Sequence, residues 1–238
     1  MKPAEGEKLV GWKFTPTADR LFLAVSTAKD VRVRALETAT GKSVWGRVID
    51  FDAVPRAAAP KSAGNPRPQF PAQYEELLAQ WKLAVRVSFV PSGKWLGVTV
   101  TRDGSVPSDY TATSVCLLLD VATGKDGTPL SDLGKDGNQL HTISADGSLA
   151  VGETGVLGTM NSRTGRNPGT RQLVAWHTGT GKVLKSWPTS NQLSAAFSPK
   201  APLLAVIDRR TILSGTGTDK TVSTTSTLGF WDLSGLLK

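Results

Sequence analysis

VRVSFVPSGKWLGVTVT, Val85 to Thr101, contains two alternating apolar segments joined at Pro91-Ser92-Gly93. Alternation of this kind marks strands with one face buried, and the Pro-Ser-Gly break marks the turn between them. After a polar loop comes SVCLLLDVATGK, Ser114 to Lys125, a third apolar run that stops at Asp120 and the turn Ala122-Thr123-Gly124-Lys125. The same order of features recurs three more times. Phe14-Thr15-Pro16 leads to Leu36-Glu37-Thr38-Ala39-Thr40-Gly41-Lys42. Ile143-Ser144-Ala145-Asp146-Gly147 leads to Trp176-His177-Thr178-Gly179-Thr180-Gly181-Lys182. Phe197-Ser198-Pro199 leads to Trp231-Asp232-Leu233. Phe89 to Ile143 and Ile143 to Phe197 are each 54 residues, and Phe14 to Phe89 is 75. Four copies of a unit this long, each with several strands, describe a repeat architecture in which neighbouring units bury one another.

The repeat resembles the WD-repeat β-propeller family in a degenerate, bacterial-looking form. The dipeptide behind the family's name survives as Trp231-Asp232. Its place is taken elsewhere by Leu36-Glu37, Leu119-Asp120 and Trp176-His177. The Gly-His pair that opens such repeats is absent, so the strand pattern carries the resemblance and the family's His–Asp hydrogen-bond network does not. The resemblance implies an all-β fold, a propeller of four-stranded antiparallel blades over residues 8–50, 83–133, 138–188 and 192–238. In the first blade the strands are expected at Leu9–Phe14, Leu21–Ser26, Val31–Leu36 and Ser43–Ile49, with Val31, Val33 and Ala35 facing the core opposite Arg32 and Arg34. The last repeat has no room for a full outer strand. Four blades therefore read as an incomplete ring, part of a larger propeller. The alternatives are a closed four-bladed ring and two half-rings joined as a homodimer.

Residues 51–82 interrupt the pattern. A Pro- and Ala-rich stretch is followed by AQYEELLAQWKL, whose Tyr74, Leu77, Leu78 and Trp81 fall at the i, i+3, i+4, i+7 spacing of a short amphipathic helix. Other long polar segments separate the second and third strands: 102–113 in the second repeat, 152–171 in the third and 209–226 in the fourth, the last of which also suits an extended hairpin. In the propeller family these segments and the links between blades open on one face, and insertions gathered on one side of a repeat array mark its binding face. The expected partner contacts are Arg163, Arg166 and Arg171, Arg209 and Arg210, and Tyr74 and Trp81, chosen for loop position.

The chain has 28 Lys and Arg against 20 Asp and Glu, a net charge of +8. The basic residues are scattered among acids, as in Lys29-Asp30, Arg102-Asp103 and Asp208-Arg209, and no run of five occurs. Nothing interleaves Arg with aromatic residues as a nucleic-acid stacking surface would, so nucleic acid is not the expected partner. The single cysteine, Cys116, permits no intrachain disulfide and fits a reducing compartment. No signal peptide or membrane span is read in the sequence, and a cytoplasmic location is expected.

Motifs for chemistry fail on their context. Gly41-Lys42-Ser43 ends like a phosphate loop, but Leu36 stands where that motif needs glycine. The Asp-Gly pairs at Asp103, Asp126, Asp136 and Asp146 lack the carboxylate spacing of a calcium loop and read as turns. His141 and His177 with Cys116 are too sparse for zinc, and no nucleophile elbow occurs. His141 is expected in blade packing and His177 as a strand-end hydrogen-bonding residue. The innermost strands KLVGWKF, LAVRVSF, QLHTI and QLSAAF contain no acid for general acid–base work. The tryptophans recur at strand positions, Trp176 with Trp231 and Trp45 with Trp187, as core packing would require, and Trp81 in the insertion is the exception. The expected function is a non-catalytic protein–protein interaction scaffold without cofactor or metal. The alternatives are part of a lactonase-like propeller enzyme with its catalytic acids elsewhere, and a sensor domain of a signalling protein.

Overall fold

The computed structural model describes residues 6–27, 29–50, 85–102, 113–131, 133, 139–154, 160–161, 165–166, 171–189, 192–214 and 221–237. Blade 1 is β1 (Lys8–Phe14), β2 (Arg20–Ser26), β3 (Asp30–Glu37) and β4 (Ser43–Asp50), antiparallel and in chain order. Blade 2 is β5 (Val85–Pro91), β6 (Trp95–Arg102) and β7 (Thr113–Asp120). Blade 3 is β8 (Gln139–Ile143), β9 (Leu149–Thr154), β12 (Arg171–His177) and β13 (Val183–Thr189), with a two-residue ribbon, β10 (Met160–Asn161) and β11 (Gly165–Arg166), between its second and third strands. Blade 4 is β14 (Gln192–Phe197), β15 (Leu203–Ser214) and β16 (Thr221–Asp232), followed by a 3₁₀ turn at Ser234–Leu237. The first strands of successive blades adjoin one another, so the sheets stand side by side around a common axis as in a β-propeller. They form an open arc. The expected inserted helix lies outside the described residues.

Blade 2 departs from the expected four strands among the described residues, and blade 4 lacks a full outer strand as expected. In blade 2 the chain after β7 makes one bridge, Leu119 to Asp126, and a hydrogen bond from Gly127 N to Leu118 O at 2.7 Å, then leaves the sheet. Residues 127–131 run as a strap onto blade 3, where Ser131 N donates to Gly181 O at 2.9 Å. After the third strand of blade 4, Leu233 and Leu236 pack onto the apolar layer between blades 3 and 4.

Cross-strand partners share a sheet face, so the register sorts every residue to one neighbour or the other. Phe22, Ala24, Val31, Val33 and Ala35 of blade 1 pack on Phe89, Leu96, Val98 and Leu119 of blade 2. Leu118 and Trp95 of blade 2 face Ala150, Val174 and Trp176 of blade 3. Leu149, Val151, Leu173 and Ala175 of blade 3 face Leu193, Leu204 and Val206 of blade 4. The expected core set Val31, Val33 and Ala35 is fully buried. Cys116 is half-buried at the junction of blades 2 and 3, and burial pushes its thiol up to about 11.

At one end of the sheets every connection within a hairpin is tight. Thr15, Ser92 and Ser144 each close the first hairpin with the hydroxyl as well as the backbone: their oxygens accept the N–H of Arg20 (3.1 Å), Trp95 (2.9 Å) and Leu149 (2.9 Å). Blade 2 does this with a turn two residues shorter, Ser92 N bonding Trp95 O where Thr15 N reaches Arg20 O. Pro91, not Phe89, is therefore the counterpart of Phe14 in the ladder. The third and fourth strand positions are joined by one turn in three copies. Gly41, Gly124 and Gly181 donate back to Glu37, Asp120 and His177, each glycine with φ near +69°.

Gly181 needs that conformation most. Its φ is +68°, and a Cβ there would stand 2.0 Å from Pro129 O of the strap. Gly181→Ala combines a left-handed backbone penalty of about 1–2 kcal/mol with a clash against main chain. We expect a loss of at least about 2 kcal/mol in urea unfolding, whereas Gly41→Ala, with open space around its Cβ, should lose only the backbone penalty.

The turn carboxylates sit below their ordinary pKa. Asp19 is held down first by the Thr15 hydroxyl at 2.6 Å, then by Thr17. Asp146 is held down first by the Ser144 hydroxyl at 2.6 Å. For Asp120, burial pushes upward, and the hydrogen bonds from Thr123 and Ala122 outweigh it. Groups whose pKa falls on folding stabilise the native state above the unfolded value, and that contribution disappears as pH falls through the folded value. The melting temperature should thus hold from neutral pH to about 5 and drop below about 4. A triple Asp→Asn variant at 19, 120 and 146 should show a shallower acid limb in calorimetry.

Candidate functional site

The opposite end of the sheets carries the long segments. Between strands, residues 51–84, 103–112, 155–170 and 215–220 all leave from this end, and two connections there are short: the Thr27–Asp30 turn of blade 1, closed by Thr27 N to Asp30 O at 2.8 Å, and the two-residue link 190–191 from β13 to β14. The two rims of the arc therefore differ in kind: one of bonded turns, one of long connections.

Blade 4 extends this second rim. β9 ends at Thr154, whose counterpart is Asp208, while β15 runs six residues further to Ser214 and pairs throughout with β16 back to Thr221. At about 3.3 Å per residue, the hairpin projects roughly 20 Å beyond blade 3. Arg209 and Arg210 lie at the base of this projection, and Arg209 is exposed. Its register places it on the face turned away from blade 3. The expectation of an extended fourth-repeat hairpin agrees with this pairing.

Arg171 is placed differently from a free loop contact. It is the first residue of β12, and its Nη1 lies 3.4 Å from Glu153 Oε2 on β9, with side chains 18% and 7% exposed. His141 Nε2 lies 3.5 Å from the same oxygen, and Leu193 N of blade 4 donates to Glu153 Oε1 at 3.3 Å. The buried carboxylate thus meets one guanidinium and one backbone N–H, with the imidazole Nε2 beside it making no hydrogen bond among the described residues. The set ties blade 3 to the inner strand of blade 4 just beneath the point where residues 155–170 leave the sheet. The set acts as an internal charge pin. Arg163, Tyr74 and Trp81 lie outside the described residues. Arg166 lies in β11, which pairs with β10.

Sequence reasoning missed Glu153 by looking for acids only on the innermost strands. The signal was present in LAVGET, where Leu149, Val151 and Glu153 share one strand parity and thus one buried face. Arg171 stands diagonally across, two residues from Leu173, which pairs directly with Glu153. His141 does sit in blade packing, and His177 does act at a strand end, its Nδ1 accepting Thr180 N at 3.1 Å.

The tryptophans follow the expected packing with two corrections. Trp45 Nε1 donates to Val121 O at 2.9 Å across blades 1 and 2, and Trp176 Nε1 to Ser131 O at 2.9 Å. Trp187 packs against Trp231 with centroids 4.9 Å apart and ring planes tilted by 46°. Trp45 pairs with Ala35 but Trp187 with Leu173, which places them two residues apart in register rather than at one position. Trp12 is not a core residue: it is exposed on the outer face of blade 1. A cleft of about 340 Å³ on blade 1 is lined by Asp30, Arg32, Arg34, Arg47 and Val48. Two of its guanidinium groups are engaged, Arg32 with Glu7 and Asp30 at 3.3 Å and Arg47 with Asp126 at 2.7 Å.

Among the described residues no three His, Cys, Asp or Glu side chains gather as a metal site, and no helix is long and apolar enough to cross a membrane. No protein-family model matches the sequence, and no curated protein does. Among solved structures, the chain is similar to the Dos1 propeller, with 10% identity, TM-score 0.44 and coverage of 94% of this chain and 57% of that one. It is also similar to the β-propeller domain of the Trilobed protease from Pyrococcus furiosus, with 9% identity, TM-score 0.46 and coverage of 98% and 60%. A third is the β-propeller domain of Myceliophteria thermophila Cps50 (Swd1), with 11% identity, TM-score 0.39 and coverage of 96% and 55%. The chain spans less than two thirds of the length of each. Its own strand pairing and blade-to-blade packing remain the basis of the propeller assignment.

Proposed function

We propose that the chain is a WD-repeat-like interaction module that presents one rim, rich in long connections, to a protein partner. The observation that carries this reading is the asymmetry between the rims. One is consumed by hydrogen-bonded turns that hold the sheets, and the other releases residues 51–84, 103–112, 155–170 and 215–220 beside the projecting β15–β16 hairpin. A rigid array with variable segments on one side separates stability from recognition.

The test separates rim from scaffold. Charge reversal at Arg163, Arg166, Arg209 and Arg210 should abolish the co-purification of specific proteins from the source cells while leaving the melting temperature within about 2 °C. Reversal of Lys42, Lys125 and Lys182 on the turn rim should leave co-purification intact. Quantitative mass spectrometry of the three samples reads the result. Loss of the same proteins on the turn-rim variant alone would move the binding face to the other side.

A further inference from the structure

Among the described residues, nine of the ten exposed large apolar side chains fall on blades 1 and 4. On blade 1, Leu9, Trp12, Phe14 and Val48 share by register the face turned away from blade 2. On blade 4, Leu203, Ile207, Leu228 and Phe230 share the face turned away from blade 3. Their counterparts inside the arc are buried. Leu203 and Phe230 of blade 4 occupy the positions of Leu149 and Ala175 in blade 3, both fully buried against blade 4. Leu21 and Leu23 of blade 1 occupy the positions of Leu204 and Val206 in blade 4, buried against blade 3. The arc thus ends in the two halves of the contact that it already makes between blades 3 and 4.

We infer that a second copy of this chain covers both faces, blade 4 of each copy packing on blade 1 of the other to complete an eight-bladed ring. One two-fold operation along the ring axis satisfies both pairs of faces at once. The contact is then isologous and closed, so it stops at two copies. Eight blades lie within the range that four-stranded blades form. Continuity with the blade 3–blade 4 contact singles out this partner. Any other protein would have to supply two different surfaces, while this chain carries each in the geometry that its own repeat demands. The inference stands apart from the loop-rim reading, since the faces and the rim share no residue except Arg209, which borders both.

Light scattering coupled to size exclusion tests it on the full chain. The expected mass is twice the 25.2 kDa of one chain. Trp12→Glu and Phe230→Lys, at residues 60% and 64% exposed, each place a charge in both contacts of the ring. Each should weaken dimerisation by roughly a thousandfold or more while keeping the far-UV dichroism of the parent. An equal mixture of the two variants should recover a dimer, because one contact is then unaltered and the other joins Glu to Lys. Val183→Lys, at an exposed apolar residue on neither face, should leave the dimer intact. If either variant misfolds, Val48→Glu and Leu228→Lys on the same faces replace the pair. A monomeric parent overturns the proposal and assigns the faces to residues 51–84 or to further blades. A dimer that survives either substitution overturns it in favour of contact between like faces. A ladder of higher oligomers overturns the closed ring.

Discussion

Trp176→Ala should cost about 4 kcal/mol of unfolding free energy, in the range for a large aromatic side chain removed from a packed interior. Trp176 is fully buried between blades 2 and 3, among Leu118, Leu140, Ile143 and Ala150. Its indole N–H is spent on Ser131 O of the strap. Truncation therefore opens a cavity at the blade junction and strands a carbonyl at once. Phe in its place keeps most of the apolar volume but not the donor, and should cost less, about 1–2 kcal/mol. Urea unfolding of the two variants gives the ordering. Equal losses would mean that the hydrogen bond to the strap, and not the packing, is what Trp176 contributes.

Arg171→Ala should cost about 3 kcal/mol, because it leaves Glu153 buried with its chief counter-charge removed. A surface ion pair would lose well under 1 kcal/mol, so the size of the effect tells the two situations apart. The companion variant is Glu153→Gln, which keeps an acceptor for Leu193 N and removes the charge that Arg171 neutralises. Added to Arg171→Ala, it should recover part of the loss. A double-mutant cycle gives a coupling of at least about 1 kcal/mol if the pin holds. Additive effects would place Arg171 back among the solvent-exposed arginines of the rim. That distinction also bears on partner capture, since Arg171 reversal should lower capture only through instability.

The strands of blade 1 were legible to within a residue or two. Expected at Leu9–Phe14, Leu21–Ser26, Val31–Leu36 and Ser43–Ile49, they span Lys8–Phe14, Arg20–Ser26, Asp30–Glu37 and Ser43–Asp50. Alternation and turn residues are local properties, and local properties set those limits. Register and strand number are not local. Phe89 has the sequence context of Phe14, yet the shorter Ser92 turn moves Pro91 into its place. The outer strand of blade 2 gives way to a strap because the blade 3 turn and Trp176 offer residues 127–131 better partners than β7 does. Trp12 matched a core pattern, but the face it shares has no neighbouring blade among the described residues. Glu153 was hidden for a related reason: its neutralising partner is close only after β12 has paired with β9. For the rim, position along the chain identified which segments are long, and chemistry within them stays unread because Arg163, Tyr74 and Trp81 lie outside the described residues.

An array of stacked units usually frays from its ends, each unit leaning only on the next. The strap at residues 127–131 breaks that uniformity. It leaves blade 2 and fastens onto the far turn of blade 3, holding Gly181 and Trp176 by their polar atoms. Loosening blade 3 would thus pull on the last segment of blade 2, and melting of blade 2 would strip the lid from Trp176. The two middle blades should therefore melt as one cooperative unit, so the chain is less a string of four equal beads than a locked pair with a further blade packed on either side.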